Sequence, residues 1–161
     1  MKPHLERAAP RIDPRQLEKT IARSGIRLTP QRRVVYEALM EKRDHPTALE
    51  VFMRVKARLA SISLATIYNC LEALTASHLV KHVNLDRAPS RYCPNTEPHA
   101  HFFCTVCGAV FDVPLAARPE ETWALPKKTV VTNVEITLRG ICSQCIRKSG
   151  SSVNPKQEPD L

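Results

Sequence analysis

A chain of 161 residues that is 43% hydrophobic and 25% charged is enough for one ordinary globular domain or two small ones. It has no run of about 18 apolar residues and no apolar N-terminal signal segment, which argues against a membrane partner and predicts a soluble cytoplasmic protein. The formal net charge of +8 lies wholly in residues 1–93, where 17 Lys/Arg face 9 Asp/Glu; residues 94–161 hold seven of each, so the front of the chain suits a polyanion, most simply nucleic acid.

Residues 1–12 mix Pro, His and Arg without apolar periodicity and read as a flexible basic arm. Four helical segments follow. Asp13-Pro14 with Gln16 offers a cap, a proline at the first helical position and a residue able to close a capping box. Thr29-Pro30 repeats that device ahead of Val34, Val35, Ala38 and Leu39, which share one face. Thr47 and Glu50 form a capping box before the stripe Val51, Phe52, Val55 and Leu59. Ser63 precedes a helix whose Ile67, Leu71 and Leu74 point inward, and Cys70 reads as a core residue.

After Leu79 the pattern changes to short apolar runs around a turn-rich centre, LVKHVNL then DRAPS then RYC, which predicts a two-stranded hairpin. Helices plus hairpin make a winged helix-turn-helix over residues 13–93. Residues 94–98 (PNTEP) form a hinge. A second domain over residues 99–148 carries strands in residues 101–113 and 128–140, with a short polar, helical segment near Glu120–Leu125. Residues 149–161 are rich in Ser, Pro and Gln and read as a disordered tail. The fold class is α+β.

Two Cys-x-x-Cys pairs, Cys104/Cys107 and Cys142/Cys145, stand 38 residues apart. Two thiolates from each of two segments suit the tetrahedral cage of structural zinc, framed by Gly108 and Gly140. Paired disulfides and dithiol redox chemistry are the alternatives. Zinc–thiolate binding contributes about 10–16 kcal/mol, so such a cage decides whether its domain folds.

Packing Ile67, Leu71 and Leu74 inward leaves Ala65, Thr66, Tyr68 and Asn69 on the outer face at the start of that helix, the end that enters a major groove. Asn pairs bidentately with adenine, while Thr and Tyr reach phosphates or a thymine methyl. Arg32, Arg33, Lys81, Arg87 and Arg91 are candidates for gripping the phosphate backbone. A second metal site is predicted at Cys93, His99 and His101: the two histidines alternate on one strand face, and two imidazoles with a thiolate favour zinc over magnesium or calcium. The fourth ligand is open among His82, His45 and Asp112. A ligand from residues 45–93 would make the ion a switch between the basic and the neutral module. His78 is not expected to be a ligand.

The segments RLTPQR (27–32), HPTALEVF (45–52), SLATIYNCLEAL (63–74), SRYC (90–93), HAHFFCTVCG (99–108) and GICSQC (140–145) resemble the ferric uptake regulator family of bacterial metal-dependent transcription factors, and the resemblance runs from about Leu17 to Arg147. It implies a homodimer, an N-terminal winged helix, a C-terminal mixed α/β dimerisation domain and repression of a double-stranded, palindromic operator when metal is bound. It supports the four cysteines as zinc ligands and Tyr68 as a DNA contact; no enzyme and no small organic substrate are implied. Cys93, His99 and His101, with His82, look like the zinc-uptake branch, whereas His45, Asn69 and Asp112 look like the peroxide-sensing branch. Zinc is the favoured regulatory metal, with iron(II) or manganese(II) and a peroxide- or iron-sensing repressor as the alternative. The competing class is a zinc-clasped protein-interaction module whose basic half is merely solvated.

Overall fold

The computed structural model describes residues 19–21, 23–84, 89–115, 123–132 and 134–149. The basic arm, the helix start at Asp13–Gln16, Arg87, Glu120 and the tail from residue 150 lie outside the described residues. The chain divides into two compact units, Met1–Glu97 and Pro98–Leu161.

In the first unit, residues 19–21 and 23 are helical, with Ile21 buried. Gly25, at φ +72, supplies the left-handed turn that follows. Helix α1 (Pro30–Glu41) starts at its predicted cap, the Thr29 hydroxyl accepting from the Arg32 amide at 3.2 Å. Helix α2 (Ala48–Lys56) starts at the Thr47–Glu50 capping box, and α3 (Leu64–Ala76) at Ser63, whose hydroxyl accepts from the Thr66 amide. Val35, Leu39, Val51, Val55, Ile67, Leu71 and Leu74 are fully buried where these three helices pack pairwise. Each such side chain contributes about 1.5–3 kcal/mol. Tyr36 joins this core although the sequence pattern does not single it out. Cys70 is buried in it, as expected.

The hairpin consists of β1 (Lys81–Val83) and β2 (Arg91–Cys93), antiparallel in the register Lys81↔Cys93, His82↔Tyr92, Val83↔Arg91. Tyr92 turns into the helical core, so His82, directly opposite, shares the core-side face, and Cys93 lies on the other.

The second unit holds a three-stranded sheet in the order β4–β3–β5, built from β3 (His99–Cys104), β4 (Val110–Pro114) and β5 (Thr137–Gly140). β3 pairs antiparallel with β4 and parallel with β5. The strand expected over residues 128–140 shrinks to its last four residues. Val130, 83% exposed, and its neighbours have strand-forming side chains but no ladder partner among the described residues, and propensity without pairing does not make a strand. Residues 123–125 are not helical. A short helix, α4 (Ser143–Ser149), goes unannounced in the sequence because its first turn doubles as the second cysteine knuckle. Among the described residues no helix is long and apolar enough to cross a membrane.

Candidate metal centres and the DNA-reading face

The two Cys-x-x-Cys pairs meet in the second unit. Cys104 ends β3, and the chain turns back through Cys107 to Gly108, whose amide donates to the Cys104 carbonyl at 2.9 Å and whose φ of +70 closes the knuckle. Cys142 precedes α4 and Cys145 lies in its first turn. The sulfurs of Cys104 and Cys145 are 3.9 Å apart, and those of Cys107 and Cys142 3.8 Å. A zinc ion with bonds of about 2.3 Å to four sulfurs requires a tetrahedral edge of about 3.8 Å, so the cage has the right size. These separations are far wider than the about 2.05 Å of a disulfide and suit four thiol ligands around one ion.

The electrostatics of the cage call for a cation. Burial works to raise the Cys104 thiol, but amides of Cys107, Cys142 and Val106 directed at its sulfur bring it down to about 6. Cys145 is pushed up to about 12, by burial and then by the neighbouring sulfurs of Cys142, Cys107 and Cys104. Four thiols this close cannot all ionise against one another, and a bound dication removes that conflict.

A second set of donors converges elsewhere in the same unit. His99 and His101 project from one face of β3, with their Nε2 atoms 2.9 Å apart and their rings edge to face. Asp112 stands opposite His101 in the β3–β4 register. Its Oδ1 lies 3.4 Å from His99 Nε2 and 3.9 Å from His101 Nε2. Three atoms so placed can all reach one ion at about 2.0–2.2 Å.

The remaining expected ligands belong to the first unit. His45, 2% exposed, sits in a left-handed turn at φ +54 just ahead of α2. Cys93, 1% exposed, ends β2, and its sulfur accepts from the Asn95 amide at 3.4 Å. The ligand atoms of His45 and Cys93 lie within 4.8 Å of one another. His82 is not brought to them: it packs on Tyr92, ring centroids 5.3 Å apart, on the ribbon face opposite Cys93. Within the second unit His99, His101 and Asp112 offer two imidazoles and one carboxylate, a donor set that fits zinc and also iron(II) or manganese(II).

On α3, the helix expected to read DNA, Ala65, Tyr68 and Asn69 are exposed and Thr66 half-buried, as the inward packing of Ile67 and Leu71 requires. Tyr68 keeps 51% of its surface open. The basic candidates fare differently. Arg32 donates from Nη1 to the Arg27 carbonyl at 2.8 Å, Lys81 donates to the Glu97 carbonyl, and Arg91 is bonded to the His45 carbonyl. Arg33 is half-buried on α1. Arg91 thus has a structural partner inside the protein, which the sequence pattern does not announce.

Residues 23–139 match the profile of the ferric uptake regulator family. The chain is 32% identical over 135 residues to the peroxide-responsive repressor PerR of Staphylococcus epidermidis, covering 81% of this chain and 90% of that one. Among solved structures, the peroxide stress regulator of Campylobacter jejuni superposes with a TM-score of 0.62 at 28% identity, over 81% of this chain and 97% of that one. A zinc uptake regulator complexed with zinc and DNA superposes with a TM-score of 0.65, over 85% of this chain and 95% of that one; at 24% identity this is a likeness of fold.

Proposed function

The chain belongs to the ferric uptake regulator family, and from that premise we propose that it is a peroxide-responsive repressor that holds a palindromic operator as a homodimer while its regulatory site carries a divalent metal. Members of the family are metal-dependent transcriptional regulators that bind DNA, and they are not enzymes. That disposes of the interaction-module and oxidoreductase readings. The observation that carries the proposal is the convergence of His99, His101 and Asp112 on one point of the β3–β4 sheet.

The regulatory ligands in this reading are His45, Cys93, His99, His101 and Asp112. His82 is left out, since its strand register turns it away from Cys93. Five residues of linker at most separate Cys93 from His99, so covalent connection alone keeps them within about 20 Å. An ion with ligands on both sides of residues 94–98 links the DNA-reading unit to the sheet unit, and its loss releases that constraint. His45, Cys93, His99, His101 and Asp112 would hold iron(II), which would supply redox reactivity toward peroxide; the protein's own part is to hold these donors, among them a thiol that oxidation can change. The involvement of His45 and Asp112, and the relatives named as peroxide regulators, support peroxide over zinc as the signal.

Zinc sensing is the second reading, and one residue favours it: a thiolate at Cys93 softens the site and raises its preference for zinc. The two part in a direct experiment. A duplex selected from random sequence by the metal-loaded protein is titrated anaerobically with protein carrying iron(II), manganese(II) or zinc at the regulatory site. Peroxide is then added. The proposal expects the iron-loaded protein to bind and to release on peroxide. Binding with zinc alone, indifferent to peroxide, would establish zinc sensing instead.

A further inference from the structure

The turn that carries His45 adopts a backbone conformation that side chains with a Cβ avoid, at φ +54, so its surroundings must hold it there. Contacts within the first unit brace it. Arg91 Nη1 donates to the His45 carbonyl at 2.9 Å, the Tyr92 amide donates to the Pro46 carbonyl at 3.0 Å, and Thr47 bridges to Arg91. The same guanidinium lies 3.6 Å from Glu50 Oε2. Glu50 Oε2 also accepts from the Thr47 amide at 2.7 Å and from the Thr47 hydroxyl at 2.9 Å. One guanidinium and one carboxylate therefore clamp residues 45–47 against β2, immediately before Cys93.

We infer that Arg91 and Glu50 are positioning residues of the regulatory metal site, setting His45 beside Cys93 before any ion arrives. The inference rests on the reading of His45 and Cys93 as ligands. Neither Arg91 nor Glu50 need touch the ion. Their work is to remove the ordering cost that an ion would otherwise meet when it recruits a ligand from a turn with an unfavourable backbone. Partners of this kind, which orient a ligand from behind, are typically worth about 10–100-fold in metal affinity. Glu50 also belongs to the first turn of α2, so the clamp fastens the ligand turn to the start of the helix-turn-helix. Loss of the clamp should lower metal affinity and metal-dependent operator binding in parallel.

The test uses the full chain with its four-cysteine cage filled by zinc, and cobalt(II) as the probe of the regulatory site. A near-ultraviolet sulfur-to-cobalt absorption band reports whether Cys93 is bonded. Arg91→Ala and Arg91→Lys are each expected to weaken cobalt binding by about tenfold or more. Glu50→Gln keeps an acceptor for the Thr47 amide and drops the charge that holds Arg91. It should give a smaller loss with the melting temperature unchanged, which keeps the test open if Arg91→Ala melts early. Because Arg91 acts through His45, the double variant His45→Ala/Arg91→Ala should bind no more weakly than His45→Ala alone. If His45→Ala leaves cobalt binding intact, the ligand reading fails. If His45→Ala weakens binding while the Arg91 and Glu50 variants do not, or if the losses multiply in the double variant, the positioning role is overturned and the ligand reading stands.

Discussion

The amide of Cys142 donates to the sulfur of Cys104 across 3.3 Å, although 38 residues separate them. This bond shows that the cage is braced by backbone as well as built from side chains, because a thiolate is a better acceptor than a thiol. Serine in place of Cys104 or Cys145 would remove one of the four sulfurs the cage offers to zinc and leave a poor ligand behind. With zinc binding worth about 10–16 kcal/mol against the few kcal/mol of a small domain, either variant should lose zinc and melt far below the wild type. Zinc content measured beside thermal melting checks this, and full zinc with normal melting would refute the structural assignment.

The two glycines that frame the cage should fail for different reasons. At Gly140 a Cβ would come within 3.2 Å of the Phe102 ring, which stacks on Phe111. Gly140→Ala should therefore displace that stack and cost about 1–3 kcal/mol. At Gly108 a Cβ meets nothing within 4 Å, but φ is +70. Gly108→Ala should cost about 1–2 kcal/mol of backbone strain, and Gly108→Asn less, since asparagine tolerates the left-handed region. Equal penalties for Ala and Asn at 108, measured by denaturant unfolding, would show that the turn conformation is not the cause.

The parts of this molecule that local chemistry dictates could be read in the sequence. Thr29, Thr47 and Ser63 all cap the helices they announce, because a hydroxyl satisfying an orphan amide is a matter of neighbours in the chain. The cage was legible for the same reason: zinc prescribes its own spacing. What depends on register was not. Whether His82 or His45 accompanies Cys93 turns on which side of a three-residue ribbon each occupies, and the alternation of β1 alone does not reveal which face Tyr92 carries into the core. Val130 and Val131 looked like strand because the sequence displays propensity but not the presence of a pairing neighbour. The bond from Arg91 to the His45 carbonyl was not legible either, since charge alone cannot distinguish a guanidinium bound to the protein's own carbonyl from one awaiting a phosphate.

Glu41 and Arg58 make an ion pair joining the end of α1 to the residues after α2, with Arg58 Nη1 donating to Glu41 Oε1 at 2.9 Å. The hydrogen bond from Arg58 is the main cause of a Glu41 pKa below the ordinary glutamate value. A depressed folded pKa means the pair stabilises above the unfolded value of about 4.3 and that this contribution fades as pH falls through the lower folded value. Both side chains are substantially exposed, so solvent screening limits it to about 0.2–1 kcal/mol. Glu41→Gln should show that deficit near neutral pH and low salt, and match the wild type in acid or in high salt. A deficit independent of pH would assign the loss to packing.

Asn69 and Arg33 differ in what they can recognise, and this separates a DNA-reading surface from a merely basic one. Asn69 is exposed on the outer side of α3 one position beyond Tyr68, with Ile67 and Cys70 buried nearby, so its side chain is presented to whatever lies against that face. An amide that donates and accepts can match the N6 and N7 of adenine, worth about 1–3 kcal/mol of discrimination. Arg33 offers charge without base information. Asn69→Ala should therefore flatten preference at one position of the selected duplex and leave the salt slope unchanged. Arg33→Ala should weaken all sequences alike and reduce the slope of log K against log salt by about 0.9, the loss of one phosphate neutralised. If Asn69→Ala instead lowers affinity uniformly, with base preference intact, α3 meets the phosphate backbone and not the groove floor.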